Sequence, residues 1–153
     1  KRAIKYIKRI YIRSVANLDF YKIFLSKADG AAGQIGNPIP ARILGNSEIG
    51  TPGMGNTESF ISIGKCKNLY EANALKKYIS TKFLRALLGA LKTTQDITPE
   101  KWKFVPQQDF SEASDIDWSL PVEEIDAFLY KKYKLTDAEI CFIDEKVQAM
   151  KDV

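Results

Sequence analysis

The chain has 153 residues, a formal net charge of +4, 45% apolar and 27% charged residues, and no histidine. This is the composition of one globular domain with a real core, without imidazole-based metal sites or imidazole catalysis. No apolar run approaches the roughly 20 residues that span a bilayer, and the basic N-terminus is not followed by a signal-peptide core.

In chain order, KRAIKYIKRIYIR places Ile4, Ile7 and Tyr11 at helical spacing among six basic residues. A helix is expected, although Ile10 and Ile12 alternate as a strand would. FYKIFLS reads as a strand over 21–26, Tyr21, Ile23 and Leu25 alternating with Lys22 and Phe24. Residues 27–56 are punctuated by glycine and proline, interrupted by short strand-like pieces at 40–44 and 48–49. A long loop of this kind inside a domain is usually functional. Its glycines match neither the Rossmann nor the Walker spacing, so nucleotide binding is not expected.

A strand over 58–63 leads to Asn68-xx-Glu71, a helix start with capping-box spacing. One long helix is predicted to about Leu91, with Tyr78, Lys82, Arg85, Gly89 and Lys92 along one side. Trp102, Phe104 and Val105 suggest a further strand closed by Pro106. The tail predicts two helices, 122–133 and one opening at the capping box Thr136-xx-Glu139, joined as a helical hairpin. The fold expected is α+β: a small, mostly antiparallel sheet covered by a long helix, with the C-terminal helical hairpin at its side.

The charge is unevenly spread. Residues 1–65 carry ten basic and four acidic side chains, residues 66–107 eight and three, and residues 108–153 five and twelve. A single domain therefore joins a basic α+β part, 1–107, to an acidic helical tail, 108–153, and the basic part is the side expected to meet an anion. Cys66 and Cys141 lie far apart without metal-ligand spacing and read as reduced thiols of a cytoplasmic protein.

The acidic loop DFSEASDIDW, with Asp109, Glu112, Asp115 and Asp117, could in principle hold Mg²⁺ for phosphodiester cleavage. It lacks the strand-borne carboxylates and lysine a metal nuclease requires, so turn capping and surface charge are the preferred reading. The Asn-Pro-Pro-Tyr tetrapeptide that holds an extruded adenine for methylation is absent. No catalytic, cofactor or metal residues are assigned to this chain. Nucleic-acid contacts are better supported, because Lys and Arg bind phosphates while Arg, Asn and Gln read base edges. The candidates are Arg9 and Arg13 near the N-terminus, Gln34, Asn37, Arg42, Asn46 and Asn56 in the glycine-rich stretch, and Lys77, Lys82 and Arg85 on the helix.

The blocks TESFISIG, EANALKKYISTKFLRALLGALKTTQDITPEKWKFVPQQDF, SDIDWS and EEIDAFLYKKYKLTDAEICFIDEKVQAM together resemble the C-terminal specificity region of restriction–modification enzymes, most closely the Eco57I-like group. The resemblance runs from about Phe20 to Met150 and is densest from Thr57 onward. It implies a target-recognition domain for double-stranded DNA, cut from a larger protein. The preceding domain of that protein uses S-adenosylmethionine to methylate the N6 of adenine, and Mg²⁺ enters where an endonuclease is fused. It also implies that Gly30–Asn56 reads sequence while the Lys82–Arg85 flank lies near phosphates or the methyltransferase domain. The alternative is an interdomain docking module of the same enzyme with no DNA affinity of its own.

Overall fold

A computed structural model describes residues 4–13, 15–28, 35, 39–91, 97 and 99–150. The architecture is α+β. Strands β1 (Tyr21–Ser26), β2 (Glu48–Gly50) and β3 (Phe60–Cys66) form one antiparallel sheet in the order β2-β1-β3. Ile23 faces Ile49 on one side and Ile63 on the other, and the β1–β3 register shifts between Tyr21 and Ile23.

Helix α1 (Leu69–Ser80) lies across all three strands and buries Ala72, Leu75 and Ile79. Helix α2 (Lys82–Leu91) follows, α3 (Pro99–Trp102) is a single turn, and α4 (Val122–Lys132) and α5 (Asp137–Lys146) form the C-terminal pair, each packing on α2. The core runs continuously from Ile23 and Leu25 through Ile79, Phe83 and Leu88 to Ile125, Leu129 and Ile143.

Capping sets the helix ends. Asn68 accepts a hydrogen bond from the Glu71 N–H (2.9 Å), while the Glu71 carboxylate reaches one residue further back than a capping box requires, to the Lys67 N–H (2.7 Å). The box at Thr136 and Glu139 forms reciprocally, as its sequence predicts. Between α4 and α5, Leu135 N–H bonds Tyr130 C=O and Lys134 N–H bonds Lys131 C=O, with Lys134 at φ 55°. This is a Schellman closure with lysine where glycine is favoured. A side chain in this conformation costs about 1–2 kcal/mol, so Lys134→Gly is expected to raise stability by about 0.5–1 kcal/mol after the added chain entropy. Urea unfolding with an unchanged or lower midpoint would refute that.

Four local expectations are corrected. Among the described residues, 4–13 contain only a single 3-10 turn at Arg9–Tyr11, because the apolar side chains at helical spacing have no surface to pack against. The 40–44 piece is not a sheet strand; it makes one parallel bridge, Ala41 to Val147 beyond the end of α5. Residues 102–105 are not a strand either. Proline suits the first helical position, α3 opens at Pro99, and the chain then turns through Val105 N–H to Trp102 C=O at 3.0 Å. The long helix is broken at Thr81, whose extended ψ of 146° ends α1.

Candidate nucleic-acid interface

The break at Thr81 decides where the helix-borne basic residues go. Thr81 Oγ1 accepts from the Leu84 N–H at 3.2 Å, and the Asp126 carboxylate of α4 accepts from the N–H groups of Lys82 and Phe83, both at 2.9 Å. Two side chains thus serve three of the four orphan donors at the start of α2. Asp126 is buried, and burial pushes its pKa up to about 6 even though both backbone bonds and the charges of Arg85 and Lys82 pull it down.

The sequence-based flank does not survive as a solvent face. Tyr78 is buried and donates to Pro106 C=O at 2.6 Å; Gly89 is buried beside Ile43. Lys77 donates to the carbonyls of Ser119 and Leu120, which ties α1 to the acidic loop. Lys82 pairs with Asp144 of α5 at 3.0 Å. Arg85 is only 1% exposed; its Nε donates to Thr81 C=O at 3.1 Å and its Nη1 to Gln148 C=O. Burial lowers the Arg85 pKa to about 10, against the opposing pull of Asp126. The sequence signal for this arrangement is Ser80-Thr81, a pair that favours caps over helix interiors.

The 39–50 segment is held against this region by backbone pairing. Ala41 N–H bonds Lys146 C=O at 2.7 Å, and Gln148 N–H bonds Ala41 C=O at 3.0 Å. The pairing brings Arg42 and Asn46, both exposed, to the same recess as Arg85 and Gln148, a cavity of about 210 Å³. Three of the sequence candidates therefore come together: Arg42, Asn46 and Arg85. Asn56 is separate; its side chain donates to Thr57 and Phe60 carbonyls at the entrance to β3. Gln34 and Asn37 lie outside the described residues, as does Lys92.

The N-terminal candidates sit on an open segment. Arg9 forms a two-point ion pair with Asp19 (2.6 and 2.9 Å), Arg13 is exposed, and Tyr6 is 97% exposed with Ile4, Ile7, Ile10 and Tyr11 similarly open. Exposed aromatic and aliphatic side chains interleaved with Lys5, Lys8, Arg9 and Arg13 make a surface able to stack on bases while meeting phosphates.

In the acidic loop three of the four carboxylates have local work. Asp109 accepts from the Ser111 N–H, Asp117 from the N–H and hydroxyl of Ser119, and Asp115 pairs with Lys132 at 2.7 Å. Trp118 anchors the loop by donating to Asp109 C=O and Ser114 Oγ. Among the described residues no helix is long and apolar enough to cross a membrane.

A wider cavity of about 970 Å³ opens between β3 and residues 102–111, lined by Asn17, Lys65, Tyr78, Trp102 and Gln108 among others. Among the described residues the buried Trp102 indole N–H has no hydrogen-bond partner. No family model, curated protein or solved structure matches this chain.

Proposed function

We propose that this chain is the sequence-specific DNA-recognition domain of a restriction–modification enzyme, positioning duplex for a separate S-adenosylmethionine-dependent adenine-N6 methyltransferase domain. The reading rests on the resemblance of the four sequence blocks. The observation that carries it on the molecule is the open basic-aromatic segment 4–13, where Tyr6 and Tyr11 stand exposed beside Arg13. Arg42 and Asn46 add exposed hydrogen-bonding groups on the glycine-rich side. Lys77, Lys82 and Arg85 are assigned to scaffold in this reading, since each already serves an internal contact.

The test is fluorescence anisotropy with mixed-sequence duplexes over a range of salt. Arg13→Ala is expected to weaken all duplexes alike and to reduce the slope of log affinity against log salt by about one. Lys82→Ala is expected to leave that slope unchanged and to lower stability by up to about 1 kcal/mol, as for a half-exposed ion pair. A slope untouched by Arg13→Ala, or reduced by Lys82→Ala, would overturn the assignment.

A second reading, docking to another domain of the same enzyme, draws on an apolar groove of about 440 Å³ lined by Phe83, Leu87, Leu135 and Phe142, with Phe142 46% exposed. Stable association with a methyltransferase or nuclease domain, combined with no DNA affinity, would favour it.

A further inference from the structure

Segment 4–13 holds apolar side chains in the open: Ile4 is 77% exposed, Ile7 63% and Tyr11 71%. It carries four basic residues and no acidic one. Its single helical turn, Arg9–Tyr11, is closed by Tyr11 N–H to Lys8 C=O and Ile12 N–H to Arg9 C=O, both at 3.0 Å. Continued as an α-helix, that turn would put Ile4, Ile7 and Tyr11 on one face with Lys8 at its edge, and Lys5, Arg9 and Arg13 on the opposite face. A segment this short does not hold a helix in water without a surface for its apolar face.

The chain carries such a surface. The groove of about 440 Å³ has Phe83, Leu87 and Ala90 of α2 on one wall, and Leu135, Ala138 and Phe142, at and within α5, on the other. Each set is spaced at steps of three and four, as Ile4, Ile7 and Tyr11 are, over about 10 Å of helix. The charges are complementary as well. Asp144 and Glu145 are matched by Lys82 and Lys146, which leaves Asp137 and Glu139, both exposed, as the charge at the N-terminal end of α5 among the described residues. Glu139 lines the groove and keeps its charge while it accepts hydrogen bonds from Thr136. Within one chain the two surfaces do not meet: Ile4, Ile7, Tyr11 and Phe142 all stay open, and Arg9 is tied to Asp19.

We propose that the groove takes segment 4–13 of a second copy of this chain. The segment winds into a helix as it docks, with Ile4, Ile7 and Tyr11 between α2 and α5 and Lys8 toward Asp137 and Glu139. The contact joins a segment of one copy to the groove of the next, so it closes as a reciprocal pair or grows into chains. It does not rest on the DNA-recognition reading, since Lys5, Arg9 and Arg13 lie on the outer face of the docked helix.

Wild type, Ile7→Asp and Ala138→Arg would be compared without DNA by sedimentation velocity over a wide range of concentration, with thermal unfolding as the folding control. Ile7 is on the open segment and Ala138 at an exposed position of α5, so neither substitution touches the core. The mass of wild type is expected to rise with concentration, and its far-ultraviolet helix signal to rise in step. Either substitution should weaken association at least tenfold. A mixture of the two variants should associate again, because Ile7→Asp keeps an intact groove and Ala138→Arg an intact segment. A wild-type mass that stays monomeric throughout would overturn the proposal. Association that survives either substitution would overturn it too, placing the second copy elsewhere, as would a mixture no more associated than its parts. A helix signal that is independent of concentration but lost in Ile7→Asp would mean that the segment closes on its own groove, and capture of a methyltransferase or nuclease domain by a monomeric chain would assign the groove to interdomain docking; both results would also overturn it.

Discussion

Asp126→Ala is expected to destabilise the fold by about 3 kcal/mol at pH 7. The N–H groups of Lys82 and Phe83 would lose their acceptor, and each unsatisfied buried donor costs about 1–3 kcal/mol. Arg85 would lose the carboxylate that offsets its buried charge. Asp126→Asn, which retains one amide oxygen as acceptor, should cost about 1–2 kcal/mol. The pH dependence has a definite sign. The folded-state pKa is raised to about 6, so the folded chain holds this proton more tightly than the unfolded chain. That contribution is fully present below about pH 4, the unfolded carboxyl range, and is lost as pH rises through 6. Urea unfolding of wild type and Asp126→Asn should therefore show a stability difference that declines by on the order of 2 kcal/mol between pH 4 and 6.5 and is flat above 7. A difference that grows over the same interval would mean the carboxylate is preferentially ionised in the fold.

Lys22→Met is the second large effect. Lys22 is the second residue of β1 yet only 1% exposed, and its ammonium donates to the carbonyls of Leu18 (2.9 Å), Phe20 (3.0 Å), Asn17 (3.1 Å) and Thr51 (3.2 Å). One cation thus ties the turn before β1 to the turn after β2, alongside the Gly53 N–H bond to Leu18 C=O. Burial holds its pKa below the usual lysine value. Methionine keeps most of the aliphatic volume and removes every donor, so the expected loss is about 2–4 kcal/mol, the scale of a broken buried charge network. An unfolding midpoint equal to that of wild type would show that the four carbonyls find water instead.

Lys22 and Arg85 mark the limit of what the sequence discloses. Elements governed by near neighbours were legible: the strand at Tyr21–Ser26, though not an alternating burial along it, the Asn68 start of α1 and the capping box at Thr136 all depend on residues within four or five positions of each other. Lys22 and Arg85 were not, because a lysine in an alternating strand and an arginine on a helix flank read as surface until their partners are known. Lys22 depends on Thr51, 29 residues away, and Arg85 on Gln148, 63 residues away. The same holds for the recess: Arg42 and Asn46 were named as candidates, but their meeting with Arg85 follows from the pairing of Ala41 with Val147. The split at Thr81 was the one long-range consequence with a local signal, and a continuous helical periodicity across 69–91 concealed it. Trp102 and Val105 show the converse error. Their apolar spacing suits a strand or a tight turn equally, and packing chose the turn.

DNA recognition is tested most directly by presenting the chain with a randomised duplex library at two salt concentrations and sequencing what is retained. An enriched motif at both salts, with total retention falling at the higher, is the expected result for a domain that combines phosphate contacts with base reading. No retention at either salt would contradict it and would leave the apolar groove of α2 and α5 as the surface through which the chain acts.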